Sequence, residues 1–396
     1  MESENIEQKI IQRSLKIRIY PDKNQKSYLN NCLGIYRLVY NQAINYINTH
    51  QTTNYINVRT KVLSIIEEKY PNNNWFSNLH FDSKTLAVKE ACNAFISNFK
   101  KNNNSGFKVK FKSKISKTQN VKIDHRVPKF KDDKLYLFIK NTKTDFFVRK
   151  KERKKIKNIY ENCEISDSEI IRDDTKAYYL IINYKDTVKK VEKKIKSLSI
   201  DPGVRTLYNC YSDNGTCMKL GNQINNLYED KIKKVDEISS LISQTKGRKK
   251  KNLKLRRKKI NKQIQNIVDN SHNHIASFVA QTSEEIITSK LDLKSMTKKS
   301  ERNINKNVVR NLRYKRISKL EKKLESVCEK YETKLHIVDE SYTSLTCSNC
   351  MQVKEKKELG GKRIYNCLHC GITMDRDYNA SKNIMLKHLG LFKRRT

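Results

Sequence analysis

Four cysteines stand in two pairs, Cys347-Ser-Asn-Cys350 and Cys367-Leu-His-Cys370, with sixteen residues between the pairs. Thiolates in two such knuckles close a tetrahedral zinc site, and the separation lies within the range of zinc ribbons. Four thiolates leave no open coordination position, so this zinc is read as structural rather than catalytic. His369 lies between two ligands and is read as a bystander. Cys32, Cys92, Cys163, Cys210, Cys217 and Cys328 show no ligand spacing and read as small core hydrophobes.

Carboxylates supply the second chemistry. Asp201 ends the short apolar run SLSID and is followed by Pro202-Gly203. A carboxylate at a strand end can hold Mg²⁺ with one oxygen and leave positions for phosphate and water. Asp-Pro-Gly is also an ordinary turn. Directly after the second knuckle comes Met374-Asp-Arg-Asp377-Tyr-Asn-Ala380, opening a helix that runs to Leu389. Asp375 is placed to cap that helix, and Asp377 falls in its first turn. With Asp201, Asp377 makes half of a two-metal site for phosphodiester cleavage, which needs carboxylates from separate elements around cations about 4 Å apart.

These groups need elements to position them. Ser14–Tyr20 alternates polar and apolar residues and reads as a strand, stopped by Pro21-Asp22. Apolar residues at helical spacing follow in 24–48, 58–68 and 83–101, a helical block of about 25–102. From Phe107 the pattern turns to alternation in FKVKFKSK, KLYLFIK (134–140) and YYLIINY (178–184), so 107–190 is expected to be β-rich. After SLSID come VRTLYNCY, Asp213-Asn214-Gly215 and TCMKL, a three-strand meander with an Asn-Gly hairpin tip. Helices are expected over 222–243 and 254–281, interrupted by the basic run GRKKKNLKLRRKK (247–259). EIITS (285–289) and KLHIV (334–338) read as two further strands with a basic helix, about 306–331, between them. This element order is that of an RNase H-like fold.

Composition bounds the partners. Lys and Arg number 83 against 42 Asp and Glu, a formal net charge of +41 spread along all 396 residues. Such an excess self-repels unless a polyanion screens it, and nucleic acid fits best. No apolar run approaches 18 residues, so no transmembrane helix and no membrane partner are expected. The opening MESENIEQKIIQRS is charged with no apolar core, so no secretory signal is expected, and the cysteines are read as reduced or metal-bound. The basic run most simply touches phosphates. FKVKFKSK can put lysines on phosphates or simply into solvent, as can Arg310, Arg313 and Arg316, which recur every three residues.

At four places, in order, the chain resembles the TnpB/Fanzor family of transposon-associated, RNA-guided DNA endonucleases with a RuvC-like nuclease domain. KIRIYPDKNQKSYLNNCLGIYRLVYNQAI (16–44) is similar to the family's opening strand and first helix. IDPGVRTL (200–207) resembles the first nuclease motif, DESYTSLTCSNC (339–350) the entry to the zinc ribbon, and DRDYNASKNI (375–384) the last nuclease motif. Met351 stands where the family usually has Gly after the first knuckle, and only a local loop adjustment is expected there.

One departure bears on the chemistry. The family usually carries a catalytic Glu at the end of the fourth nuclease strand, where this chain has Ser289 followed by Lys290. Ser cannot replace a carboxylate between two metals. Either the protein binds without cutting, or another carboxylate serves. Glu340, at the end of the fifth strand, is the best substitute, and Fanzors resemble this relocated arrangement. Asp339 points to the opposite face by strand alternation, Asp292 is a weaker substitute, and Glu284 and Glu285 fall at the wrong end of their strand.

The resemblance thus implies a multidomain α+β chain. Residues 1–13 form a leader, and 14–23 with 106–190 an OB-like β-barrel (wedge). Residues 24–105 form an inserted helical recognition lobe. Residues 196–344 and 373–396 form the RNase H-like, RuvC-type nuclease, with a zinc ribbon inserted at 345–372. It implies Asp201, Glu340 and Asp377 around two Mg²⁺, one structural Zn²⁺ on Cys347, Cys350, Cys367 and Cys370, and a structured guide RNA encoded beside the gene. It also implies a double-stranded DNA target next to a short flanking motif, and one protein copy per complex. The compartment is expected to be intracellular, nuclear if the host is eukaryotic. The rival reading is a nuclease-dead, RNA-guided DNA-binding protein, a repressor or accessory factor.

Overall fold

The computed structural model describes residues 9–71, 74–101, 107–203, 205–290, 297–298, 305–355 and 363–393. The chain divides into two compact units, Ile10–Asp186 and Thr187–Thr396 with the residues before Ile10.

The first unit opens with strand β1 (Ile10–Ile19), then helices α1 (Lys23–His50), α2 (Tyr55–Lys69), α3 (Asn74–Ser77) and α4 (Phe81–Lys101). The Pro21-Asp22 stop is a capping box: Asp22 accepts from the Gln25 N–H at 2.8 Å, and Gln25 accepts from the Asp22 N–H at 3.0 Å. Leu29, Leu33, Tyr36, Val39, Tyr40, Ile44 and Ile47 form the buried stripe of α1. Then come β2 (Thr118–Ile123), β3 (Pro128–Lys131), β4 (Lys134–Leu137), α5 (Ile139–Thr142), α6 (Lys150–Asn162), β5 (Glu164–Asp173) and β6 (Tyr178–Thr187). The sheet order is β1-β6-β5-β2, with β3-β4 as a separate hairpin. The early strand thus lies beside the last one of this unit. Helical block and sheet share one core, in which Ile17, Tyr36, Val88, Val121, Leu180 and Ile182 are all buried.

Three expectations change here. β1 begins at Ile10, inside the expected leader, because the alternation continues backward through buried Ile11 to face the ten-residue β6. Lys150–Asn162 is a helix within the stretch expected to be β-rich; its Ile156 and Ile159 are buried and the lysines point outward. Residues 107–113 are not a strand. Their backbone pairs instead with two side chains of α1: Asn41 exchanges both bonds with Lys112 (2.7 and 3.0 Å), and Asn48 both with Val109 (3.4 and 3.3 Å). The match is metric. Seven residues of helix rise about 10.5 Å, and three residues of extended chain span about 10 Å.

The second unit holds β7 (Ile195–Pro202), β8 (Tyr208–Ser212), β9 (Cys217–Leu220), α7 (Glu229–Gln244), α8 (Gly247–Thr282) and β10 (Ser283–Ser289). α9 (Lys306–Lys315), α10 (Ile317–Lys330), β11 (Lys334–Val338), β12 (Ile364–Asn366), β13 (Thr373–Asp375) and α11 (Arg376–His388) follow. Its main sheet runs β11-β10-β7-β8-β9. β10 is parallel to both neighbours, while β8 is antiparallel to both β7 and β9. In order of appearance this is 5-4-1-2-3. The Asn-Gly tip joins β8 to β9, with Gly215 at φ +84°.

The basic run 247–259 is not an interruption but the start of the 36-residue α8. Lys, Arg and Leu are strong helix formers, and solvent carries their charges. The expected helix 306–331 is instead two, because Arg316 takes a left-handed conformation at φ 51°. Its partner there is Asp269 of α8 at 3.1 Å, while Arg310 pairs with Asp236 of α7 at 2.6 Å, so the three arginines do not share one face toward solvent. Among the described residues no helix is long and apolar enough to cross a membrane.

Candidate metal centres and nuclease-type site

Asp201 occupies the second-last position of β7. The backbone turns sharply behind it, and a Cβ on Gly203 would lie 2.8 Å from the Thr206 carbonyl, so glycine is required. The loop is held from below by Lys315, whose fully buried Nζ donates to the Arg205 carbonyl at 2.6 Å. Burial pushes that amine down to about 8.

Ser289, in the place where a carboxylate was expected, ends β10. The parallel register sets Thr288 beside Ile200, so Ser289 is level with Asp201, and it is directly paired with Val338 of β11. Its hydroxyl is buried without a hydrogen-bond partner. Glu340 comes two residues after Val338, just past the end of β11 where the chain enters a turn, and is exposed. Two strand spacings put it about 10 Å across the sheet from β7 and about 7 Å further along. Asp292 lies outside the described residues.

Asp377 enters from the first turn of α11. Asp375 is the N-cap, accepting from the Asp377 N–H at 2.9 Å and from Lys219 Nζ of β9 at 2.6 Å. The bland role foreseen for Asp375 is therefore its role, and it fixes Asp377. Ser381 Oγ, one turn on, sits 2.8 Å from the Asp377 carbonyl and 2.9 Å from the Asn209 carbonyl of β8.

Electrostatics tie the three carboxylates together. Burial pushes Asp201 up to about 7, and the charges of Asp377 and Glu340 push in the same direction, against Arg376. Asp339 is instead drawn downward by hydrogen bonds from Ser341 and Lys387, whose Nζ lies 3.1 Å from its carboxylate. It faces α11 and not Asp201. A buried carboxylate with two further negative charges beside it is a donor set that a divalent cation relieves.

The sequence reading missed two residues inside the last motif. Asn379 and Asn383, one helical turn apart, are completely buried. Asn379 accepts from the Ser348 N–H at 2.8 Å and donates to the Thr346 carbonyl at 2.8 Å. Asn383 donates to the carbonyls of Thr343 and Thr346 at 2.8 and 2.7 Å. They grip the segment that runs from Glu340 into the first knuckle. Two asparagines at i, i+4 on an otherwise apolar helix face were the available signal.

The four cysteines converge. Cys347 and Cys370 sulfurs are 3.7 Å apart, Cys350 and Cys367 3.6 Å. Zn–S bonds of 2.3 Å in a tetrahedron give edges of about 3.8 Å, so the four thiols fit zinc as they stand. Both knuckles have the same backbone: Met351 donates to the Cys347 carbonyl at 3.0 Å, Gly371 to Cys367 at 2.9 Å. Both donors are left-handed, at φ 63° and 72°. The expected loop adjustment at Met351 did not occur; methionine has taken the glycine conformation. His369 is exposed and outside the cluster. Of the remaining cysteines, Cys32, Cys92, Cys210 and Cys328 are buried, but Cys163 is only partly so and Cys217 is exposed at the start of edge strand β9, so those two are not core residues.

Three family models match the chain: a helix-turn-helix domain over residues 11–53, a probable transposase over 179–300, and a Cas12f1-like TNB domain over 318–384. The first of these stretches folds here as β1 and the single long α1. Among curated proteins, the TnpB-like protein L770 of Acanthamoeba polyphaga mimivirus is 27% identical, covering 94% of this chain and 72% of its own. The putative transposase A625R of Paramecium bursaria Chlorella virus 1 is 25% identical, covering 96% and 88%. Among solved structures, the mini-RNA-guided endonuclease CRISPR-Cas_phi3 aligns with a TM-score of 0.56 at 11% identity, covering 98% of this chain and 93% of that one. At that identity the likeness is one of fold: a mixed α+β, multidomain architecture.

Proposed function

We propose, on the premise that this chain is a TnpB-family protein, that it is an RNA-guided, metal-dependent DNA endonuclease. The observation that carries the reading is the convergence of Asp201, Asp377 and Glu340, felt as mutual repulsion at Asp201. The 5-4-1-2-3 strand order supports an RNase H-like, RuvC-type assignment for the second unit, with the cysteine knuckles as its zinc ribbon. The sheet and hairpin of the first unit support an OB-like wedge, with α1, α2 and α4 as its recognition helices.

In this reading Asp201, Asp377 and Glu340 hold two Mg²⁺, which supply an activated water and stabilise the leaving 3′ oxygen. The protein's own part is placement. Gly203 and Lys315 set the Asp201 loop, Asp375 and Ser381 set Asp377, and Asn379 with Asn383 set the segment behind Glu340. The charge of +41 serves a structured guide RNA and the DNA paired with it. By the division of labour in guided effectors, base pairing reads the target and the protein reads a short flanking motif.

The test is plasmid cleavage by the protein co-expressed with its flanking sequence. Asp201→Ala is expected to abolish cutting in Mg²⁺ and leave RNA binding intact. Full activity in that variant rejects the site. No cutting by the wild type, with guided DNA binding intact, favours the nuclease-dead reading, whose support is Ser289.

A further inference from the structure

A third group of ligand-type side chains lies at the opposite end of the same sheet. Glu285 of β10, His336 of β11 and His388, the last residue of α11, bring one ligand atom each within 4.8 Å of the others. Glu285 Oε2 is 3.4 Å from His336 Nε2 and 3.9 Å from His388 Nε2. The two imidazoles lie 4.4 Å apart, centre to centre. His336 Nε2 is shielded from solvent yet has no hydrogen-bond partner of adequate geometry. A buried polar atom left in that state signals a missing partner. The other Glu285 oxygen accepts from Ser197 Oγ of β7. That is the outer hydrogen bond which orients a ligating carboxylate and leaves its second oxygen for the ion.

We propose that Glu285, His336 and His388 bind a transition-metal cation of the zinc class. Three protein ligands leave the fourth position open to water. Two imidazoles and a carboxylate match zinc in softness and number. Bonds of about 2.0–2.1 Å in a tetrahedron need ligand atoms about 3.3 Å apart, so the side chains must close by roughly 1 Å. The ion joins β10, β11 and the C-terminus of α11. Asp377 starts that helix, about 16 Å away along its axis. The site is therefore distinct from the carboxylate cluster and acts as a clamp on the helix that carries Asp377. It does not depend on the nuclease reading.

The experiment uses the full chain, stripped with a chelator, reloaded with Zn²⁺ under excess Mg²⁺ and desalted. Zinc is counted by elemental analysis in the wild type, His336→Gln, His388→Gln and Glu285→Gln. Each variant is expected to hold one zinc fewer than the wild type and to keep the zinc bound by thiolates. Equal counts in all four proteins overturn the proposal. Zinc-edge X-ray absorption on the unmutated protein guards against misfolded variants. A mixed shell of sulfur and imidazole nitrogen supports the site, and a shell of sulfur alone overturns it.

Discussion

The side-chain amide of Asn383 donates to the Thr346 carbonyl at 2.7 Å, across 37 residues of chain. The same amide serves Thr343, and Asn379 serves Thr346 and Ser348 beside it. The last helix thus holds the segment between Glu340 and Cys347 by its peptide groups. Removing Asn383 takes the side-chain donor from the Thr343 carbonyl, leaves the Thr346 carbonyl with Asn379 alone, and opens a cavity in a buried site. Asn383→Ala is expected to lower folding stability by about 2–3 kcal/mol, measured by urea unfolding. Its cleavage rate is expected to fall while guide-RNA affinity stays within twofold.

Met351 pays for a backbone conformation that glycine takes freely. The left-handed region costs a side-chain-bearing residue about 1–2 kcal/mol, offset in part by the greater unfolded-state entropy of glycine. Met351→Gly is expected to stabilise the knuckle by about 0.5–1 kcal/mol and so to tighten zinc by about two- to fivefold. Gly371→Ala, at the twin position, is expected to do the reverse. Competition with a chromogenic zinc chelator reads both.

His272 of α8 is almost completely buried with neither ring nitrogen hydrogen-bonded. Burial pushes it down to about 4, opposed by Asp269 and a polar contact with the Lys315 backbone, while Lys319 and Arg316 add to the shift. The folded state therefore takes up its proton later than the unfolded chain does, near pH 6.5. The contribution to stability is complete above pH 6.5 and is lost as pH falls toward 4. The wild type is expected to lose on the order of 3 kcal/mol over that window from this group. His272→Gln is expected to flatten that slope, as seen in denaturation midpoints at pH 7, 6, 5 and 4.

What was legible in the sequence was local. The cysteine spacing, the cap at Asp375 and the apolar run ending in Asp201 each declare themselves within a few residues. What was missed depends on long-range pairing or on charge being misread. Glu285, His336 and His388 are 51 and 52 residues apart and meet only because β10 and β11 are parallel neighbours. Lys315 stands in a stretch that reads as a basic helix, with nothing local to set it apart from its neighbours, yet it is fully buried under the Asp201 loop. The run at 247–259 reads as a break by charge and is helix by propensity. The alternation in 107–111 is real, but Asn41 and Asn48 complete its hydrogen bonds in place of a strand.

The proposed exchange of Glu340 for the usual carboxylate can be tested by reversing it in one protein. Ser289 is level with Asp201 on the adjacent strand, and its hydroxyl is buried without a partner, so a side chain there faces the carboxylates. Glu340 approaches the same place from one strand further out. Glu340→Gln alone is expected to reduce cleavage by roughly 10³-fold or more, about 4 kcal/mol in the barrier. Ser289→Glu combined with Glu340→Gln is expected to recover at least about tenfold of that loss, since the new carboxylate starts nearer to Asp201. Single-turnover cleavage of a labelled plasmid at saturating Mg²⁺ measures both. If Glu340→Gln cuts at the wild-type rate, Glu340 is not the third ligand. If it is inactive and the double variant recovers nothing, the strand-end positions of β10 and β11 are not interchangeable. In that case the relocated glutamate owes its role to the loop that Asn379 and Asn383 hold, and not to its place in the sheet.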